Sequence, residues 1–133
     1  MNNITKRRQE REAIVSVLYM IDLTHCNLKE AYLAVDISDY IIEMVEGVMN
    51  HLNEIDEIIT NNLTNWSIKR LNFVDRAIIR LAVYEMLYVD LDKSIIINEA
   101  VELSKKYSET DDLNSKAFNN KLLDKIHKQL KMR

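Results

Sequence analysis

Two arginines and a tyrosine share one face of the first predicted helix. With Arg8 as the origin and about 100° per residue, Arg11 lies at about 300° and Tyr19 at about 20°, whereas the apolar stripe is centred at roughly 230°. Guanidinium groups neutralise phosphates, and an exposed ring stacks on a base for about 1–3 kcal/mol. This face could therefore bind single-stranded nucleic acid. A Tyr19 that is half-buried against the next helix is equally consistent with the spacing.

Charge is separated along the chain, because both ends are basic and the middle is acidic. The formal net charge is −3 and the pI is about 5.6. Residues 1–13 and 116–133 nevertheless each carry a net positive charge. Such a molecule can present a basic surface to phosphates and an acidic or apolar face to a protein. The two ends would form one basic patch if the last helix lay beside the first.

No arrangement of residues typical of an enzyme is visible. The sequence has neither a glycine-rich phosphate loop nor a nucleophile elbow. Asp22 and His25, like Asp124 and His127, have the i, i+3 spacing of di-iron bundles, but matching glutamates on facing helices are not evident. We therefore expect no catalytic residue, metal or cofactor. The single cysteine, Cys26, excludes an internal disulfide and indicates a reducing, cytoplasmic environment.

The composition favours one all-α domain. The 133 residues include no proline and one glycine, Gly47, whereas sheet-rich domains need both residue types at their turns. A chain of this length forms a single domain that buries about two-thirds of its unfolded surface. No segment is apolar enough to span a membrane. The apolar stretch 13–21 is interpreted as a buried helix face and not as a signal peptide.

Hydrophobic periodicity and capping residues predict the helices. Thr5 or Asn3 could cap the first helix, Ser38 the third and Asn72 the fourth. Ser94 would begin the fifth. The predicted ranges are 6–24, 28–34, 39–62, 73–89, 95–107 and 115–130, with a polar loop over 108–114.

The apolar stripes of these helices should form the core. In the first and last helices they consist of Ile14, Val17, Leu18 and Ile21, and of Phe118, Leu122, Ile126 and Leu130. The stretch 77–89 is apolar nearly all round and belongs at the centre of a bundle. Arg80 and Glu85 within it need charged partners, because an unpaired buried charge is costly.

Three segments of the second half follow one another in a distinctive order. They read LNFVDRAIIRLAVYEML, IINEAVELSKKY and FNNKLLDKI, and the chain begins with the arginine-rich RRQEREAIVSVLY. Over nearly the whole chain these segments resemble the NusB family of bacterial transcription antitermination factors. INEAVEL, with VDRAIIR before it, is the most specific part. The resemblance implies a single all-α domain over 1–133, with about six or seven helices in two small bundles, one from about 1–65 and one from about 66–133.

The resemblance also implies a function without catalysis. Proteins of this family bind the boxA element of nascent ribosomal RNA transcripts, a single-stranded RNA, together with the small-subunit ribosomal protein NusE. The complex joins other Nus factors on RNA polymerase and suppresses premature termination. Some relatives self-associate, so a homodimer that covers the RNA-binding face is a further expectation.

Positions that match the family pattern imply roles for individual residues. Asp75 matches an acidic position at the interface with NusE. Asn98 and Glu99 belong to the signature and are expected to be mainly structural. The residues expected to bind RNA are Lys6, Arg7, Arg8, Arg11, Tyr19, Asn114, Phe118 and Lys121. Of these, the resemblance matches Arg7, Arg8, Arg11, Tyr19 and Phe118 to RNA-contacting positions of the family.

Two of these positions depart from the family pattern. Asn114 stands where the family has an aspartate, and Lys121 stands where it has a glycine. Lys121 lies close to Phe118 in the sequence, so it could add a phosphate contact.

Two other functions are consistent with the sequence. The chain could be a helical adaptor that binds only protein through its acidic middle, with the basic ends serving solubility. It also resembles the helical domain fused to ribosomal-RNA methyltransferases, but 133 residues leave no room for a methyltransferase. Titration with RNA, with and without NusE, would separate RNA binding from a purely adaptor role.

Overall fold

Helices account for the secondary structure that is described. The structure, a computed structural model, describes residues 2–107 and 113–132, without the side chains of residues 113 and 114. These ranges contain no β-strand, which confirms the predicted all-α class. Their elements are α1 (Asn3–Thr24), α2 (Leu28–Tyr32), α3 (Asp39–Asn50), α4 (Leu52–Asn62), a 3₁₀ turn (Ile68–Arg70), α5 (Phe73–Tyr88), α6 (Lys93–Tyr107) and α7 (Leu113–Lys131).

Short polar side chains fix where several helices begin. The Ser38 hydroxyl accepts a hydrogen bond from the Ile41 N–H at 3.2 Å, and the Asn72 amide oxygen accepts one from the Asp75 N–H at 2.8 Å. Both predicted caps are confirmed. The first helix begins earlier than predicted, because Asn2 and neither Asn3 nor Thr5 is its cap.

The predicted single helix 39–62 is wrong, since α3 and α4 are separate. The break falls at His51, whose backbone dihedrals of φ −114° and ψ 19° leave the helical region. The His51 ring can hydrogen-bond to a backbone carbonyl near the end of α3, because its Nδ1 lies 2.9 Å from the Gly47 carbonyl oxygen. Apolar periodicity continues through this bend, so the sequence pattern does not reveal it.

α5 is the central helix. It packs against α1, α3, α4, α6 and α7, and one apolar core contains residues from all seven α-helices of the described ranges. The prediction from its nearly uniform apolar character is therefore confirmed. No helix in residues 2–107 or 113–132 combines the length and apolar character that a membrane span needs.

The charged residues of α5 have the partners that the sequence required. Arg80 forms a two-pronged ion pair with Asp56 of α4, at 2.9 and 2.8 Å, and lies 3.5 Å from Asp22 of α1. Arg76 also contacts Asp22, at 2.6 Å. These pairs fix the position of α1 and α4 on α5.

The first and last helices do not pack side by side, the arrangement that was expected to join the two basic ends. α7 packs against α4, α5 and α6, whereas α1 packs against α2, α3 and α5. Each terminal helix therefore lies on α5, and neither is a principal neighbour of the other. α5 packs against both of them, and α6 packs against α7 and forms ion pairs with α1.

Gly47 is placed where a side chain would collide with α5. A Cβ at this position would overlap Oη and Cζ of Tyr84. The Tyr84 ring is held by the rings of His51 and Tyr88, at centroid distances of 6.0 and 5.3 Å. We expect Gly47→Ala to lower the free energy of unfolding by about 1–2 kcal/mol, because overpacking outweighs the gain in helix propensity. Urea denaturation followed by circular dichroism measures this loss.

The matched control is the same substitution in a Tyr84→Ala background. There the overlap is gone, and alanine at position 47 should be neutral or stabilising. An equal loss in both backgrounds would show that the contact with Tyr84 is not the cause.

Candidate nucleic-acid interface

The start of α1 carries three exposed basic side chains. Lys6, Arg7 and Arg8 are exposed, as the sequence predicts. Arg7 pairs with Glu10 at 3.1 Å, and its guanidinium lies 3.6 Å from the centroid of the Tyr40 ring. The Nε of Arg8 donates to both carboxylate oxygens of Glu99 on α6, at 3.1 and 3.2 Å. These contacts orient the two arginines and still leave about half of each side chain in solvent.

Arg11 does not lie on this surface, so its predicted exposure is wrong. Its guanidinium contacts Glu85 of α5 at 2.9 Å, and the two side chains are only 6% and 3% exposed. Burial raises the pKa of the Glu85 carboxyl above its ordinary value, and Arg11 lowers it in part. Arg11 thus joins α1 to α5 and offers little surface to a phosphate.

Tyr19 is half-buried, and its ring forms part of an aromatic edge between α1 and α5. Its centroid lies 6.4 Å from that of Phe73, with the rings nearly perpendicular at 87°. Phe73 is the first residue of α5 and is itself exposed. The guanidinium of Arg76 lies 4.6 Å from the centroid of the Phe73 ring. The structure therefore combines the two interpretations of Tyr19, since the ring packs on a neighbouring helix and remains accessible.

Phe118 points outward, so the prediction that it begins the buried stripe of α7 is wrong. It is 37% exposed, and its ring centroid lies 6.4 Å from that of Trp66. The next residue, Asn119, takes the inward position and is fully buried. Among the described side chains of α7, the buried ones are Asn119, Leu122, Leu123 and Ile126.

Asp75 is buried, so its carboxylate offers little surface to a partner, and the implied contact with NusE stays a prediction. One carboxylate oxygen accepts from the Asn72 side chain at 2.8 Å and the other from Asn119 of α7 at 3.0 Å. Asn119 also donates to the Ser104 hydroxyl of α6 at 2.9 Å. This network ties the beginning of α5 to α6 and α7, and so fixes the position of Phe73 relative to Phe118.

Tyr19, Phe73 and Phe118 together form what we call the aromatic strip. Tyr19 contacts Phe73 directly. Phe73 follows Asn72, which lines the same groove as Phe118. The strip thus includes rings from α1, from the beginning of α5 and from α7.

The remaining predicted residues lie around this strip or outside the described part. Lys121 is exposed on α7, one turn beyond Phe118. Asn114 falls within α7, but its side chain is outside the described residues. Asn98 is exposed, while Glu99 is partly buried and acts as the partner of Arg8. Among residues 2–107 and 115–132, no three side chains converge in a way that could hold a metal ion.

Comparison with known proteins identifies the family. Residues 7–128 match the model of the NusB family. The chain belongs to the NusB family. The transcription antitermination protein NusB of a Nitratiruptor species is 41% identical to it over 135 residues, covering 94% of each chain.

Two solved NusB structures share the fold. T. maritima NusB superposes with a TM-score of 0.81 and 31% identity, covering 92% of this chain and 91% of its own. A chain from the crystal structure of the antitermination factors NusB and NusE in complex with dsRNA superposes with a TM-score of 0.79 and 30% sequence identity. The match covers 92% of this chain and 96% of that chain. The resemblance read from the sequence is confirmed, and the chain is a transcription antitermination factor and not an enzyme.

Three residues of this NusB surface were not singled out as binding residues by the sequence. The sequence did not predict Phe73 as a binding residue, because it begins a helix whose other residues are mostly buried. Trp66 and Arg70 lie in the polar segment between α4 and α5, where no periodicity guides a prediction. Trp66 is the chain's only tryptophan and lies in a turn-rich polar segment. A large aromatic residue in such a segment was the sequence feature that could have indicated an exposed binding residue.

Proposed function

We propose that this NusB-family protein binds single-stranded, boxA-type RNA of nascent ribosomal RNA transcripts together with the small-subunit ribosomal protein NusE. The observation that carries the proposal is the aromatic strip, which spans three helices at the surface. Exposed basic residues accompany it at both ends, with Lys6 and Arg8 on α1 and Lys121 on α7. Rings that stack bases and cations that neutralise phosphates are the two components of a single-strand site.

The arrangement favours unpaired RNA. Bases in a duplex are stacked on each other, so they cannot reach protein rings, whereas loops and single strands can splay their bases out. The related NusB–NusE crystal structure contains dsRNA. Duplex RNA of the same sequence is therefore the comparison that the experiment must include.

NusE is the proposed protein partner, because the related NusB forms a complex with it. Through that complex the chain would join other Nus factors and RNA polymerase on transcripts in the cytoplasm. Asp75 would influence NusE indirectly, by fixing the beginning of α5. A homodimer that covers the strip would compete with RNA, so the oligomeric state should be measured at each RNA concentration.

The test is fluorescence anisotropy with a short boxA-like RNA, with and without NusE. We expect single-stranded RNA to bind more tightly than its duplex, and NusE to increase the affinity. Lys6, Arg7, Arg8 and Lys121 can contact about four phosphates, so log affinity should fall with log salt at a slope near −3. Lys29→Gln on α2 is the control for net charge and should change little.

Two outcomes would contradict the proposal. Equal affinity for the duplex would show that the rings do not select unpaired bases. Binding of NusE without any RNA binding would support the protein-only adaptor instead.

Glu99 competes with phosphate for Arg8, so its removal should tighten RNA binding. The carboxylate holds the Nε of Arg8 at 3.1 and 3.2 Å. A surface ion pair is worth about 0.2–1 kcal/mol, so Glu99→Gln should raise RNA affinity by at most about five-fold. Anisotropy at constant low salt measures the change.

Glu102→Gln is the matched control, because Glu102 lies one turn further on α6 and pairs with Lys105 at 3.1 Å. It should have a smaller effect. Weaker RNA binding by Glu99→Gln would mean that the pair holds Arg8 in its binding position.

A further inference from the structure

A groove opens beside Phe118. It lies between α7 and the segment that precedes α5, and its volume is about 360 Å³. This is within the range of small-molecule sites, about 300–1,000 Å³. Trp66, Arg70, Leu71 and Phe118 are among its lining residues. The indole of Trp66 is 50% exposed, so one face of a large ring is open to a ligand.

Among the arginines of residues 2–107 and 113–132, Arg70 is the one without a carboxylate partner in those ranges. Six arginines lie within residues 2–107 and 113–132, and five of them form ion pairs with aspartate or glutamate. Within these ranges no carboxylate lies within ion-pair distance of Arg70, which is exposed, and its guanidinium is 6.0 Å from the Trp66 ring. A cation beside an open aromatic face is suited to the phosphate and base of a nucleotide.

The charge around the groove favours RNA over a basic peptide. Lys69 and Lys121 are exposed on the adjoining turns. Among the described lining residues, Asp75 is the one with a carboxylate, which is buried and accepts hydrogen bonds from Asn72 and Asn119. The groove is also continuous with the aromatic strip through Phe118.

We propose that Trp66, Arg70 and Phe118 form a further nucleotide subsite, in which a base stacks on Trp66 and its phosphate contacts Arg70. The inference rests on the proposed function, because it extends the same RNA strand by one nucleotide beyond the strip. It assigns to the segment between α4 and α5 a role in setting the length of RNA that is bound.

The unique tryptophan makes a direct experiment available. Because Trp66 is the only tryptophan of the chain, its fluorescence reports on this groove alone. Single-stranded boxA-like RNA is titrated into the wild-type protein, and anisotropy of a labelled RNA is followed in parallel. We expect tryptophan fluorescence to be quenched at the same RNA concentrations at which anisotropy rises.

Substitutions separate stacking from charge. Trp66→Leu should weaken RNA binding about ten-fold, whereas Trp66→Phe keeps a ring and should weaken it less. Arg70→Gln should reduce the magnitude of the salt slope by about 0.7, the contribution of one phosphate on a single strand. Lys69→Gln, on the same 3₁₀ turn, is the matched control and should leave the quenching intact. Thermal melting of each variant checks that it is folded.

The outcomes distinguish failure of the subsite from failure of the proposed function. RNA binding without quenching, and with Trp66→Leu at wild-type affinity, would overturn the subsite alone. Quenching by NusE and not by RNA would assign the groove to the protein partner and also overturn it. Absence of any RNA binding in anisotropy would overturn both proposals.

Discussion

Replacing Arg11 by methionine should lower the free energy of unfolding by about 3–5 kcal/mol. The substitution leaves Glu85 as a buried carboxylate without its counter-ion, since the two side chains are only 6% and 3% exposed. The cost of an uncompensated buried charge exceeds the value of any surface ion pair in this protein. Urea denaturation at neutral pH, followed by circular dichroism, measures the loss.

The double variant Arg11→Met/Glu85→Leu tests the cause. It removes both charges and fills the same space with apolar groups, so most of the lost stability should return. A double-mutant cycle then gives the coupling free energy between Arg11 and Glu85. If the two single losses simply add, the buried pair is not what makes Arg11 necessary.

The same double variant tests whether Arg11 contributes to RNA binding. The helical-wheel prediction placed Arg11 among the phosphate contacts, whereas the structure places it against Glu85. A folded double variant should therefore bind RNA within about two-fold of the wild type. If Arg11 did contact a phosphate, its loss would reduce the affinity in low salt by more than this. A large loss of affinity and a shallower salt slope would restore Arg11 to the binding surface.

Local signals in the sequence predicted much of the fold. Ser38 and Asn72 cap helices because their side chains bond to backbone groups three residues away, which requires no knowledge of the tertiary structure. The charges of Arg80 and Glu85 required partners because the helix around them is apolar. Both expectations depend only on residues that are close in sequence.

The errors concern residues whose orientation depends on several helices. A helical wheel assigns one buried side, but α1 contacts α5 and α3 and also forms ion pairs with α6, so Arg11 is buried outside the apolar stripe. The outward position of Phe118 depends on Asn119, which is held by Asp75 and Ser104 from two other helices. Such a network has no signature in the spacing of apolar residues.

The second large effect is expected at the two ends of the aromatic strip. Tyr19→Ala and Phe118→Ala should each weaken binding of single-stranded RNA by about 1–3 kcal/mol, the value of one stacked base. The rings lie on different helices, α1 and α7, so their effects should be nearly additive. The double variant should then lose about 2–6 kcal/mol, which corresponds to about thirty-fold or more.

Conservative and distant substitutions show whether stacking is the reason. Tyr19→Phe keeps the ring and should retain most of the affinity, while Tyr88→Ala removes an exposed ring that lies outside the strip, at the end of α5. Anisotropy titrations and melting curves are measured for each protein. If Tyr19→Ala weakens binding and Phe118→Ala does not, the strand follows α1 and does not cross α5. If neither ring matters while NusE still binds, stacking on the strip is not how the chain binds RNA.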